Sequence, residues 1–392
     1  MNYKSILNLL GILLGIFSLS FIPPLILTYL YSESGSEIFL YSFLFFCILG
    51  VSIWAATRQK NLTLNISDGF VVTTLFWVVL ACAGSVPFYF FGLSVSDAIF
   101  ESASGITTTG ATTIVGLDNL PKSILLYRQL LQWIGGMGLI VLAVAVMPAL
   151  GIGGGQLYKM ELPGSHGNQK LTPKITDSAK ALWKIYVGLT VACATLYLLS
   201  GMNVFDSIAH SLSTVAGGGF STHDGSIGFF DSALIEAVCI IFMLLSAASF
   251  AVHYAAIFGG KPLKYFYDSE FRFFLSVVLL IVVISLIVHI ISNSYADIFS
   301  AFGTTIFHVV STVTTSGFTT ENFSLWPGFL PYLLLVGAFM GACSQSVGGG
   351  IKAWRVLIMI NQAYKEILKT IHPNAVLSSK IGTKAVSYTH LR

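Results

Sequence analysis

One short pattern of small, glycine and hydroxyl residues recurs three times in this chain of 392 residues. Each copy starts with Ser, runs through a small residue, a β-branched residue and three more small residues to a Gly, and ends with one apolar and two hydroxyl residues. The copies occupy residues 104–113, 213–222 and 311–320. Glycine allows the positive φ angles that turn successive carbonyl oxygens towards one axis, and such oxygens can replace the water shell of a dehydrated cation. The pattern therefore predicts a cation-binding loop that is used three times.

The predicted ligands are the backbone carbonyls of the aligned Gly and of the three residues before it. They are Thr107, Thr108, Thr109 and Gly110 in the first copy, Ala216, Gly217, Gly218 and Gly219 in the second, and Thr314, Thr315, Ser316 and Gly317 in the third. Glu101, His210 and His308 each stand nine residues before the aligned Gly, so the likeness extends into a short helix. The negative C-terminal end of that helix favours a cation. The alternative interpretation is that the glycines only allow helices to pack closely.

The composition indicates that these loops belong to a membrane protein. The chain is 55% hydrophobic and 9% charged, whereas a soluble domain carries about 25% charged residues. Several apolar stretches, among them 233–258, exceed the roughly 20 residues that cross a bilayer as a helix. Bare backbone is tolerated at membrane depth only where protein or a water-filled cavity satisfies its polar groups. We therefore predict an all-α polytopic membrane protein built from repeated helix–pore loop–helix units.

The boundaries of these units follow from the apolar stretches and the polar segments between them. The predicted parts are an N-terminal helix pair at 1–60, a first pore repeat at 61–150, a second at 151–260, a third at 261–372 and a basic tail at 373–392. If the helices alternate in direction, 18 of the 20 Lys and Arg residues share one face, which the positive-inside rule makes cytoplasmic. The N-terminus is then cytoplasmic, and the three loops face outward together with acidic residues such as Asp118 and Asp206.

The last apolar stretch of the third repeat is interrupted by ten small and polar residues at 341–350. Three consecutive glycines make a continuous helix costly there, at about 1 kcal/mol each relative to Ala. We predict a flexible break inside the membrane near the inner end of the pore, without a regular hydrogen-bond ladder and with two arrangements of similar energy. The residues of this candidate gate are Gly341, Ser344, Gln345, Ser346, Gly348, Gly349 and Gly350. A surface loop between two helices is the alternative interpretation.

Conventional catalysis has no support in the sequence. His210, His253, His289 and His308 show no metal-ligand spacing and no nucleophile motif, so we interpret them as core or pore-helix residues. The glycine-rich segment 151–155 does not follow a strand and lacks the ending of a phosphate-binding loop. The five cysteines lie in apolar stretches without a pairing pattern. We predict a protein that is not an enzyme, binds no nucleic acid and carries no resident cofactor.

The chain resembles the bacterial TrkH-type potassium uptake proteins of the Trk/Ktr/HKT superfamily. The resemblance is carried by ESASGITTTGATT (101–113), RQLLQWIGGMGLIVLAVAVMP (128–148), HSLSTVAGGGFSTHD (210–224), VVSTVTTSGFTTENFSLWP (309–327), GACSQSVGGGIK (341–352) and HPNAV (372–376). It implies a pseudo-four-fold pore in the cytoplasmic (inner) membrane with potassium as its substrate, a homodimer, and a cytosolic ring of nucleotide-binding regulatory subunits of the TrkA type. Gly110 resembles the residue of the potassium-selective members, and 341–350 resembles the family's intramembrane gate.

The resemblance also implies a fourth repeat after the basic segment. We therefore expect that three of four repeats are present, that the chain is truncated, and that residues 386–392 depart from the family. We expect the regulatory partner to dock on a basic inner face that includes Lys352, Arg355, Lys365 and Lys369. Two other functions stay open. One is an ion-coupled secondary transporter with broken helices, for which Glu236 is the one long acidic residue clearly inside a helix; the other is a non-conducting membrane interaction subunit.

Overall fold

The computed structural model describes residues 1–58, 65–150, 175–372, 380–381 and 384–385 of the chain. The regular secondary structure of this part is almost entirely helical, which confirms the predicted all-α class. The exception within it is an antiparallel pair of two-residue strands, β1 (Lys380–Ile381) and β2 (Lys384–Ala385).

The N-terminal helix pair begins with α1 (Tyr3–Ser18), which continues through a short 3-10 turn into α2 (Ile22–Leu30). The turn precedes Pro23 and Pro24, which lie in the first turn of α2, where a missing backbone N–H costs little. The chain then reverses, and α3 (Ser36–Thr57) packs along α1.

Small residues let α1 and α3 approach closely. A Cβ built on Gly50 would lie 2.6 Å from the backbone nitrogen of Gly15, and one built on Gly11 would lie 2.8 Å from that of Trp54. The side-chain amide of Asn8 donates to the carbonyl oxygen of Trp54 at 3.2 Å. Because lipid tails are as apolar as leucine, close backbone packing and interhelical hydrogen bonds of this kind are what hold membrane helices together.

The first pore repeat consists of α4 (Ile66–Phe90), the short α5 (Val95–Ile106) and the long α6 (Lys122–Leu150). The side chain of Tyr127 on α6 is fully buried, and its hydroxyl donates to the carbonyl oxygen of Gly84 on α4 at 2.9 Å. This bond joins the two long helices of the repeat, and α5 packs against both of them.

Glycines on α6 bring this helix against two short helices, α5 and the helix that ends at Ala216. A Cβ built on Gly135 would overlap the carbonyl oxygen of Ile106, at the end of α5. One built on Gly136 would lie 2.7 Å from the hydroxyl oxygen of Tyr186 and 3.2 Å from the Cα of Ala216. These glycines therefore allow the close helix packing that small residues give in membranes.

The second repeat contains α7 (Ile175–Leu199), α8 (Val204–Ala216), α9 (Ala233–Ala247) and α10 (Phe250–Ile257). The apolar stretch 233–258 predicted one helix, and this was wrong, because α9 and α10 meet at 102°. The hydroxyl of Ser249 accepts from the backbone N–H of Ala251 at 3.3 Å and starts the new helix. The freed carbonyl of Ala247 accepts a hydrogen bond from the backbone N–H of Cys343 in the third repeat at 3.0 Å.

The third repeat follows the single turn of α11 (Lys264–Tyr267). It contains α12 (Ser269–Ile291), α13 (Ile298–Val313), α14 (Leu330–Met340) and α15 (Ala353–Ile371). Residues 341–352 between α14 and α15 are not helical, which is where the sequence predicts a break. The second and third repeats share one apolar core, in which Phe242, Phe274 and Phe307 are buried.

Five helices in the described part of the chain are long and apolar enough to cross a membrane, and the number is six if α9 and α10 form one bent span. They are α1 joined to α2, α3, α4, α7 and α12. The short helices α5, α8 and α13 fall between pairs of longer segments, as the predicted helix–pore loop–helix unit requires.

We predict that Gly50→Ala destabilises the protein by about 1–3 kcal/mol, because the added Cβ meets the backbone of α1 in a packed interface. Gly188→Ala on α7 is the matched control, since no described atom lies within 4 Å of a Cβ built there. The measurement is the thermal midpoint of each purified variant in detergent. Equal midpoints for the two variants would contradict the assigned α1–α3 contact.

Candidate functional site

Each of the three predicted loops follows a short helix that begins with a polar cap. Ser94, Asn203 and Asp297 cap α5, α8 and α13, and each side chain accepts a hydrogen bond from a backbone N–H of the first turn. Such caps satisfy N–H groups that the helix itself leaves unpaired. The helices end three or four residues before the aligned Gly, so each loop leaves its helix at the same place in the pattern.

The backbone conformation is the same in all three loops. The angle φ is positive at the aligned Gly and at the residue two positions before it, and negative between them. The positive-φ residues are Thr108 and Gly110, Gly217 and Gly219, and Thr315 and Gly317. A β-branched residue rarely adopts positive φ, so Thr108 and Thr315 hold a strained backbone. Strain of this kind is concentrated at functional sites.

Hydrogen bonds fasten each loop to the end of its own helix. The backbone N–H of the residue before the aligned Gly donates to the carbonyl of the aligned Ser in every copy. The pairs are Thr109 with Ser104 at 2.9 Å, Gly218 with Ser213 at 3.1 Å, and Ser316 with Ser311 at 2.9 Å. The hydroxyls of Ser104 and Ser311 also donate to the carbonyl seven residues later, at 2.5 and 2.7 Å.

The loops pack against one another in chain order. A Cβ built on Gly110 would overlap the carbonyl oxygen of Gly218, and one built on Gly219 would overlap that of Ser316. The same two positions of the pattern meet in both contacts, and the middle loop is accordingly the most buried. Within the described residues, no atom lies within 4 Å of a Cβ built on Gly317. The first loop thus contacts the second and the second contacts the third, whereas the third loop has no such contact at Gly317 among the described residues.

The residues nine positions before the aligned Gly hold the chain that follows each loop. The carboxylate of Glu101 accepts from the backbone N–H of Thr113 at 3.0 Å. In the second copy, Nε2 of His210 lies 2.9 Å from the hydroxyl of Ser221. In the third, Nε2 of His308 lies 3.1 Å from a carbonyl oxygen thirteen residues later. All three side chains are buried, which fits the interpretation of the two histidines as pore-helix residues.

Two polar side chains of α6 reach the loops from behind. Arg128 lies 3.7 Å from Glu101 and donates to the carbonyl oxygen of Ser221 at 3.2 Å. Gln132 donates from Nε2 to the carbonyl oxygen of Gly218, a predicted cation ligand, at 2.7 Å. Sequence reasoning gave neither residue a role. The signal that could have found them is that polar residues within an apolar membrane helix face protein or a cavity.

The break in the third repeat lies against the start of the second and third loops. The backbone N–H of Gly349 donates to the hydroxyl of Thr315 at 2.6 Å. The side chain of Val347 lies next to Gly217 of the second loop. Gly217 and Thr315 are both at the start of their loops, next to the C-terminal ends of α8 and α13. The break therefore lies beside the ends of these two helices.

The break is better ordered than the sequence predicted. The backbone N–H of Ala342 donates to the carbonyl of Gly349 at 3.2 Å, which closes the segment on itself. The ammonium of Lys352 donates to the carbonyl oxygens of Ser346 and Gly348. The segment has no regular hydrogen-bond ladder, as the sequence predicted, but the chain folds back and the partly buried ammonium of Lys352 satisfies carbonyls that no helix pairs.

A carboxylate that sequence reasoning missed anchors both ends of the break. Glu270, in the first turn of α12, accepts from the backbone N–H groups of Ser344 and Trp354 through the same oxygen. The carbonyl of Gln345 accepts in turn from the backbone N–H of Phe250 at 2.9 Å. The break of the third repeat is thus fastened to the bend between α9 and α10.

Other residues singled out in the sequence have simpler environments. Lys365 is buried, and the amino group of Lys352 binds the break, so neither lies on the exposed basic face where they were expected. Glu236 is partly buried in the first turn of α9. The glycines at 151–155 lie outside the described residues. Within the described ranges, no group of three or more His, Cys, Asp or Glu side chains could hold a metal ion.

Just after the second loop, His223 joins this part of the chain to the first repeat. Its Nδ1 is hydrogen-bonded to Asp118, its Nε2 lies 3.3 Å from Asp206, and its ring stacks on Phe229 with centroids 3.6 Å apart. Burial acts to lower the pKa of His223, but the two carboxylates outweigh it and raise this pKa. The hydrogen bond from His223 lowers the pKa of Asp118. Asp118 and Asp206 therefore favour the charged imidazolium form of His223 between them.

Comparison with known proteins identifies the family. The sequence profile of the TrkH family, described as cation transport protein, matches residues 34–391. The chain belongs to the TrkH family. It is 46% identical over 391 residues to the Trk system potassium uptake protein TrkH of Vibrio parahaemolyticus, and the alignment covers 98% of this chain and 81% of that protein. It is 39% identical over 391 residues to the Trk system potassium uptake protein TrkG of Escherichia coli, with 98% and 80% covered.

The crystal structure of the potassium transporter TrkH from Vibrio parahaemolyticus has the same fold. It matches with a TM-score of 0.88 at 44% sequence identity and covers 98% of this chain and 80% of that one. The chain is therefore a helical membrane protein of a cation transport family and not an enzyme.

One expectation drawn from the resemblance is not supported. The family match continues to residue 391, so the expected departure of residues 386–392 from the family is wrong. The expectation of a truncated chain relied in part on that departure, and these comparisons do not support it.

We predict that the link between His223 and Asp118 makes stability depend on pH. The pKa of His223 is raised above its ordinary value of 6.5 in the folded protein. The ion pair therefore stabilises the fold fully below pH 6.5, and this stabilisation is lost as pH rises through the raised pKa. Between mildly acidic and alkaline pH, the free energy of unfolding of wild type should fall by up to about 1 kcal/mol relative to that of His223→Gln. This is the upper end of the range for a partly exposed ion pair. Thermal midpoints across this range are the measurement, with Asp118→Asn as a second variant. Parallel pH profiles for all three proteins would contradict the link.

Proposed function

We propose that this chain is the channel-like, potassium-conducting subunit of a Trk uptake system in the cytoplasmic membrane. The observation that carries the proposal is that three loops share one alternation of φ and meet through the same two positions. Loops related in this way can present backbone oxygens to one ion from several sides, which is how a selectivity filter replaces hydration water. Relatives that are 45–46% identical are Trk system potassium uptake proteins, which supports potassium as the substrate.

The filter in this proposal consists of the residues predicted from the repeated pattern. They are Thr107, Thr108, Thr109, Gly110, Ala216, Gly217, Gly218, Gly219, Thr314, Thr315, Ser316 and Gly317. Two of the loops pair their own hydroxyls, Thr107 with Thr109 at 2.8 Å and Thr314 with Ser316 at 2.9 Å. These hydroxyls are hydrogen-bonded within their loops, and we assign the ion-binding role to the backbone carbonyls, as the repeated pattern predicts.

The gate in this proposal is the break at 341–350, with Gly341, Ser344, Gln345, Ser346, Gly348, Gly349 and Gly350 as its residues. Its contact with Thr315 supports a position at the inner end of the filter. An ion that leaves the filter for the cytoplasm meets this segment, which is held by Glu270 and Lys352. Movement of these two anchors would open or close the path.

The proposal includes a homodimer, a cytoplasmic N-terminus and a cytosolic regulatory subunit of the TrkA type. The helix α15 supports the last of these, because it begins directly after the break. Arg355 on α15 is exposed, whereas Lys352 and Lys365 are engaged or buried. A partner bound to the exposed face of α15 could therefore shift the gate through the attached chain.

Uptake of rubidium by vesicles that contain the purified protein tests the proposed function. We predict selective uptake by wild type and a shift of the potassium-to-sodium permeability ratio towards sodium, by severalfold, in Gly110→Ser. Serine disfavours the φ of +79° at this position, and its Cβ would meet the carbonyl of Gly218. An unchanged ratio would remove Gly110 from the filter, and vesicles without selective uptake by wild type would overturn the function itself.

Deletion of residues 344–349 tests the gate. We predict that it raises basal rubidium uptake and reduces the dependence of uptake on the regulatory subunit, because it removes the carbonyls that Lys352 binds and the N–H of Ser344 that Glu270 holds. Uptake is measured with and without the regulatory subunit. If basal uptake and partner dependence both stay at the wild-type level, the segment is a packing feature and not a gate.

A further inference from the structure

The second loop is held differently from the other two. In the first and third loops, the aligned Ser donates from its hydroxyl to a carbonyl of its own loop. In the second, the hydroxyl of Ser213 donates instead to Oε1 of Gln132 at 2.7 Å, and the backbone N–H of Phe220 donates to the same oxygen at 3.1 Å. The amide of Gln132 is thus inserted between the end of α8 and its loop, where its Nε2 binds Gly218.

The oxygen that Gln132 binds is the one at which the first two loops meet. The carbonyl of Gly218 lies where a Cβ on Gly110 would be, so its position determines the distance between these loops. A Cβ on Gly218 would itself overlap the Gln132 amide, which shows how closely the side chain fits behind the loop. Gln132 is fully buried in α6, so no water competes for these bonds.

We infer that Gln132 is a positioning residue that sets the cation specificity of the pore by holding the carbonyl of Gly218 against Gly110. The inference rests on the proposed potassium-conducting function. Discrimination between potassium and sodium depends on the number, direction and spacing of carbonyl dipoles around the ion. Without the Nε2 donor, the carbonyl of Gly218 is free to turn, and the spacing between the first and second loops is no longer fixed on this side.

The chain offers a matched control on the same helix. Gln129 is also fully buried, less than one helical turn before Gln132. When its amide is oriented to satisfy both neighbours, it donates to the carbonyl of Leu125 at 3.1 Å and accepts from the backbone N–H of Thr222 at 3.2 Å, beyond the filter. Gln129→Met therefore removes an equally buried amide without touching the Gly218 carbonyl. Ser213→Ala is the second control, because it removes a partner of Gln132 but leaves the bond to Gly218 intact.

The test is rubidium uptake into vesicles at fixed rubidium and increasing sodium, with Gln132→Met, Gln129→Met and Ser213→Ala. The sodium concentration that halves uptake should fall about tenfold in Gln132→Met, the factor that corresponds to about one net hydrogen bond. It should stay within about twofold of wild type in both controls, even if their thermal midpoints fall. An unchanged value in Gln132→Met, or an equal fall in Gln129→Met, would overturn the inference.

A binding measurement separates this inference from the proposed function. The thermal midpoints of the purified proteins are compared in potassium and in sodium at equal ionic strength. Wild type and Gln129→Met should be stabilised more by potassium, whereas Gln132→Met should show no preference. If wild type imports no rubidium, the proposed function fails, and the midpoints still decide the inference. Equal potassium preference in wild type and Gln132→Met would overturn it, and no preference in wild type would overturn both.

Discussion

The structure depends on satisfying polar backbone groups at membrane depth, where lipid offers no partner. Each of the three loops leaves its helix early and needs donors and acceptors for an extended, partly left-handed chain. The same device recurs: a backbone N–H returns to the aligned Ser, and a buried Glu or His holds the segment that follows. Where the Ser of the second loop does not close on its own chain, Gln132 supplies the missing partners. The loops can therefore keep an unusual conformation without water.

The same constraint couples two repeats beside the start of the second and third loops. The bend between α9 and α10 exposes the carbonyl of Ala247 and the N–H of Phe250, and the break of the third repeat pairs with both. Glu270 and Lys352 complete the set, the first on N–H groups and the second on carbonyls. The break is thus an ordered segment with partners at the junction of α9 and α10 and in α12, so movement of these helices would displace it.

Features that one segment determines could be predicted from the sequence, and features that arise where repeats meet could not. The repeated glycines predicted three loops, and positive φ occurs at each aligned Gly because no side chain opposes it there. The bend at Ala247 carries no Gly or Pro, and the bond from Cys343 that pairs its freed carbonyl comes from another repeat, so the capping residue Ser249 alone did not reveal it. Glu270 and Gln132 were missed for the same reason, since their partners lie 74 and 86 residues away. The small and polar residues at 341–350 indicated the break but not the fold of the chain within it.

The central claim is that the three loops present their oxygens to one dehydrated cation. Anomalous diffraction from crystals of the protein grown in rubidium or thallium salts tests it most directly, because these ions replace potassium and are located without reference to the protein atoms. The account predicts an anomalous peak enclosed by residues 107–110, 216–219 and 314–317, at coordination distance from backbone oxygens of all three loops. Ordered ions found only elsewhere, with none between these segments, would contradict it.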